Sequence, residues 1–265
     1  MKKLLDFELR KLFRQKSLYI CTGITIGLSV FTLIVLYIVA RMGAYDDGTV
    51  SVVSGIGSLT TLDGLVGALS NGSFGLLLCI VISIFVCADY SLKTVRNVLG
   101  KGYSNTEIMF SKYIASVVAA IFMMLVTWLI VFLFSSILFH DFTSYDAVRL
   151  PWDLLGQVFV VVGMTSLFFM FAIVTKKLAA AIALGIVFSS TLATVLQLAN
   201  VLLQHLKIDI DISGISIDNH MTNLSMFIDS MSELRKTCFY GILAGLIYAL
   251  ICLLLSWLAN RNFEG

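Results

Sequence analysis

Residue types able to do covalent or metal chemistry are few in this chain, and they are scattered. The three histidines, His140, His205 and His220, lie outside the apolar runs and far apart, with no HExxH pairing and no clustered Cys or Asp. That argues against a metalloprotease or a metal transporter. The five cysteines, Cys21, Cys79, Cys87, Cys238 and Cys252, each fall inside an apolar run and show no CxxC spacing. An odd set in hydrocarbon is no disulfide framework; they are small packing residues. No GxSxG is present, and Gly100-Lys101-Gly102-Tyr103 lacks both the glycine spacing and the hydroxyl of a P-loop. Any ATP-driven work has to be powered from another chain.

Recognition chemistry is what remains. From Asp89 to Lys112 the chain reads DYSLKTVRNVLGKGYSNTEIMFSK, a polar stretch between two long apolar runs with Lys93, Arg96, Lys101 and Lys112 on it. Lys93 to Leu99 can form a helix, Gly100 and Gly102 would break it, and Ser104 and Thr106 can cap a new one. Such a segment is either a tight solvated connection or the handle that a soluble partner grips. A second group, Ser190, Thr194 and Gln197 with Asn200 further round, shares a helix face. It supplies either interhelical hydrogen bonds, about 0.6 kcal/mol each, or a mildly polar wall along a pathway. Gly23-xxx-Gly27 and Gly241-xxx-Gly245 are small-residue helix contacts.

The elements that must position these groups are membrane spans. Of the 265 residues 59% are hydrophobic and 13% charged, against roughly 45–50% and about 25% in soluble domains. An all-α integral membrane protein follows, with six transmembrane helices at 18–40, 72–88, 113–139, 154–175, 178–203 and 238–259. Each is near the ~17–25 residues needed to cross the hydrocarbon. No charged residue falls inside these stretches, which argues against an ion or proton pathway. Thr175-Lys176-Lys177 forces spans four and five into an antiparallel pair. With the N-terminus inside, 13 Lys and Arg lie inside and five outside, so the positive-inside rule puts both termini in the cytoplasm.

Residues 1–17 form a basic amphipathic helix. Leu5, Leu9, Leu12 and Phe13 recur at helical spacing, with Lys3, Arg10, Lys11 and Arg14 on the remaining surface. This suits the headgroup layer of an anionic leaflet. The apolar run that follows is too long for a signal peptide, so it is expected to be a retained first span. Leu62 to Leu69 can dip into the membrane or form an external helix. Residues 221–234 carry Leu224, Phe227, Ile228 and Met231 at helical spacing, as in an outer or re-entrant helix before span six. The whole chain is one transmembrane domain.

This layout resembles the membrane subunit of an ABC transporter of the ABC-2 type. The local likeness is in Asp89, Ser91, the run Lys93 to Leu99, the small turn Gly100 to Asn105, and Ser111-Lys112 entering span three. Tyr103 and Asn105 stand where relatives often carry Pro and Arg. The form VRNVLGKGYS is most similar to small bacterial permeases that export or confer immunity to antimicrobial peptides, of the lantibiotic and bacitracin type. The resemblance implies a non-enzymatic permease in the bacterial cytoplasmic membrane, moving a hydrophobic or amphipathic peptide or antibiotic. It also implies a second permease copy or a related subunit, the lipid bilayer, and a dimer of ATPase subunits that holds ATP and Mg; no nucleic acid is involved. Coupling to that ATPase would use Asp89, Lys93, Val95, Arg96, Leu99, Ser104 and Lys112. Spans two and five would line the route, with Ser190, Thr194 and Gln197 on the pathway or dimer face. A secondary transporter would need intramembrane charges, broken helices or repeats, and none is visible. A non-transporting membrane scaffold is the other alternative.

Overall fold

The computed structural model describes residues 2–43, 73–91, 100, 102–139, 144–205, 217, 220 and 231–261. Among the described residues seven long helices follow one another: α1 Lys2–Phe13, α2 Lys16–Gly43, α3 Ser73–Ser91, α4 Asn105–Phe139, α5 Ser144–Thr175, α6 Leu178–His205 and α7 Met231–Arg261. Six of them, α2 to α7, are long and apolar enough to cross a membrane. Among the described residues there is no strand. Hydrocarbon offers the backbone no hydrogen-bond partner, so apolar runs of this length satisfy their amides internally as helices. Span hydroxyls do the same: Thr22, Thr25, Thr127 and Thr165 each donate to the carbonyl four residues earlier.

α3 and α5 form the centre. α5 packs on α7, α3, α4 and α6, while α2 lies against α3 and α4. Phe74, Leu78, Ile82 and Phe85 of α3 interlock with Val160, Val161, Phe168, Phe169 and Ala172 of α5. Lipid tails are as apolar as these side chains, so close van der Waals packing is what favours the association. Small residues make it possible. A Cβ on Gly245 would run into the Phe159 carbonyl, and one on Gly163 would lie 3.0 Å from Gly245 Cα. Gly245 therefore serves the α5–α7 contact within the chain, whereas Gly23 and Gly27 of α2 have nothing within 4 Å of where a Cβ would sit. α6 is peripheral: only 12% of its apolar window is buried, against 61% for α5.

Several helices exceed the expected spans. α4 starts at Asn105 and α7 at Met231. α5 starts at Ser144 and carries Pro151 within its first turns. Arg149 and Asp153, placed by sequence in the connection before span four, thus lie on the first turns of that helix. They sit one turn apart, with Arg149 Nε 3.0 Å from Asp153 Oδ2, and both are buried. An ion pair with its own counter-charge at i+4 is what lets the helix extend without exposing either group to lipid. The stretches 62–69, 92–99 and 221–230 lie outside the described residues, and with them the expected helices there.

Candidate functional site

α1 is bound to the bundle along a stripe of four-residue spacing. Leu4, Glu8 and Leu12 are all buried, and α1 packs chiefly on α4. Leu5 and Leu9 are half-buried, and Leu9 touches the core. Phe13 is exposed, but meets Phe122 edge-on at 5.5 Å. The apolar face expected for a membrane-surface helix is thus largely a docking face. Lys11 is corrected: the sequence put it on the solvated surface, yet it turns inward and its ammonium pairs with Asp89. Its reason is electrostatic, since Asp89 lies in the last turn of α3, where the helix dipole disfavours a carboxylate and a cation is needed nearby.

Lys112, near the start of α4, supplies the second cation. Its Nζ pairs with Asp89 Oδ2 and lies 3.5 Å from Glu8 Oε1. The Lys112 and Glu8 side chains are 2% and 3% exposed. Both ammonium groups also stand over the buried Phe85 ring, at 5.8 Å for Lys11 and 5.7 Å for Lys112. Four charges from α1, α3 and α4 therefore meet in one cluster that is formally neutral. Burial lowers the Lys11 pKa below the ordinary lysine value, and the Glu8 charge opposes that shift. Neutrality matters because an uncompensated charge in such a place costs several kcal/mol.

The neighbouring turns are fastened to the same end of the bundle. Gly102 has φ of 85°, which suits the residue without a Cβ. Ser104 then caps α4 reciprocally with Glu107. The Glu107 N–H donates to Ser104 Oγ at 3.2 Å, and the Ser104 N–H donates to the Glu107 carboxylate at 3.3 Å. This is a capping box. Ser104→Ala should cost about 1 kcal/mol and fray the start of α4, seen as faster amide exchange at Thr106 and Glu107. Lys176 stands over the Tyr90 ring at 5.3 Å, and Asn260 Nδ2 donates to the Asn105 carbonyl at 3.3 Å. The α5–α6 turn and the end of α7 are thereby held beside Asp89 and α4. Burial also lowers the Lys176 pKa.

Residues 4–192 match the family described as ABC-2 family transporter protein. The chain belongs to the ABC-2 transporter family. The comparison with curated proteins found no match. Membership makes the chain a multi-pass permease subunit of an ABC transporter, a class that works with an ABC ATPase partner.

In this ABC-2 permease Asp89, Ser104 and Lys112 stand at the two ends of the 92–101 stretch, while Lys93, Val95, Arg96 and Leu99 lie outside the described residues. Ser190, Thr194 and Gln197 occupy the exposed side of α6. Ser190 donates to the Ile186 carbonyl at 2.8 Å and Thr194 to the Ser190 carbonyl at 2.9 Å, so these hydroxyls are satisfied within their own helix. Among the described residues no three His, Cys, Asp or Glu are grouped to hold a metal ion. Sequence reasoning missed Glu8 and Lys11. The signal was an acidic residue midway between Leu4 and Leu12 on the buried stripe of a basic helix.

Proposed function

We propose that this permease is driven by a separate ATPase that grips the 89–112 segment, and that it moves a hydrophobic or amphipathic substrate out of the cell or its membrane. The observation carrying this reading is the charge cluster at the base of that segment. Asp89 and Lys112 close its two ends, and Glu8 and Lys11 fasten the N-terminal helix to them. A push on the segment would reach α1, α3 and α4 together, because separating them leaves buried charge without a partner.

ATP and Mg would sit on the partner chain, since this sequence has no P-loop. The excess of Lys and Arg on one side supports cytoplasmic termini and an ATPase on that face. The exposed sides of α2 and α6, including open Gly23 and Gly27, suit a second permease copy or a related subunit. The VRNVLGKGYS stretch favours an antimicrobial peptide or antibiotic as substrate.

Leu99→Asp tests the grip. The variant should insert in the membrane at wild-type level and lose at least about 1.4 kcal/mol of ATPase affinity, a tenfold drop measured by co-purification. Undiminished complex would contradict a coupling role for this segment.

A further inference from the structure

We infer that Glu8 is the reserve counter-charge of a partner-exchange latch, which keeps α1 attached to α4 while the end of α3 shifts during the ATPase cycle. The inference rests on the coupling role proposed above for the 89–112 segment. Asp89 accepts from both Lys11 and Lys112, so in the arrangement seen here one carboxylate serves two cations. Glu8 is nearly wholly buried among them, 3.5 Å from Lys112 through Oε1, and its Oε2 has no hydrogen-bond partner. A buried carboxylate oxygen without a donor carries a desolvation cost that a second arrangement would relieve.

That second arrangement needs only a change of partner. When Asp89 is drawn away with the end of α3, Lys112 can close on Glu8, and Lys11, one turn from Glu8 on the same helix, can follow. Each lysine then keeps a carboxylate beside it, so the step reduces the penalty that would otherwise hold α1, α3 and α4 rigidly together. Without Glu8 the resting contacts to Asp89 persist, but nothing receives the lysines once Asp89 departs. Glu8 is thus a positioning residue whose effect is larger in one state of the cycle than in the other.

Hydrogen exchange of the α1 amides in the purified permease–ATPase complex tests this, without nucleotide and after trapping with ATP and vanadate. In the wild type, exchange in residues 2–13 should be equal in both states. Glu8→Gln should lose some protection without nucleotide, because the buried cluster then carries one cation too many, and at least about tenfold more when trapped, while Glu8→Asp should restore protection. Equal protection of Glu8→Gln and wild type in the trapped state would overturn the latch, and so would a loss of protection that is the same size in both states. Should Glu8→Gln fail to assemble, the wild type still decides: α1 that loses protection on trapping refutes the latch. If no ATPase accompanies the wild type, the coupling reading falls and the latch with it. An ATPase that binds and hydrolyses while α1 behaves otherwise removes the latch alone.

Discussion

Lys112→Met is expected to cost the permease about 3–5 kcal/mol. The lysine is 2% exposed and lies between Asp89 and Glu8. Methionine fills a similar volume, so the loss reports on charge rather than on a cavity. Lys11 alone would face two buried carboxylates. Thermal unfolding in detergent should show a markedly lower midpoint, together with poor recovery of folded protein. The combined variant Glu8→Gln, Lys112→Met should regain most of the stability, because it removes Lys112 with one carboxylate and leaves Lys11 paired with Asp89. Wild-type unfolding of Lys112→Met would mean that the cluster contributes nothing to the fold.

Gly245→Val is expected to separate α5 from α7 and to cost about 3 kcal/mol, at the upper end of overpacking effects. Its Cβ would meet the Phe159 carbonyl and the Val160 amide, which are backbone atoms and cannot turn aside as a side chain could. Gly23→Ala is the matched control. Its Cβ enters open space, so the isolated permease should be unchanged or slightly more stable, as alanine favours the helix. Unfolding midpoints of both variants in the same detergent check the contrast. Equal midpoints for Gly245→Val and wild type would contradict the close crossing of α5 and α7.

The helical plan was legible because hydrocarbon imposes a length and a composition on anything that crosses it, and runs such as 178–203 meet both. Ends were less so. Arg149 and Asp153 looked like loop residues, since a charge normally marks the end of a span. Their pairing one turn apart carries α5 past them. At the site, Asp89 and Lys112 stood out as charges next to apolar runs, but 23 positions separate them in sequence. Only the antiparallel return of α4 beside α3 brings them together. Lys11 was misplaced because an amphipathic wheel assigns every basic residue to solvent. It has no way of representing a buried acid 78 positions away. The two GxxxG pairs looked alike in sequence and differ in use, as Gly245 of α7 meets the α5 backbone while Gly23 and Gly27 face open space.

The central claim, that the 89–112 segment couples this permease to a separate ATPase, meets its most direct test in a mild-detergent pull-down of the tagged protein from its native cells, with mass spectrometry of whatever accompanies it. The expected result is a P-loop ATPase without spans of its own, stoichiometric with the permease and lost from Leu99→Asp. A complex that stays intact through purification and contains no ATPase would contradict the claim.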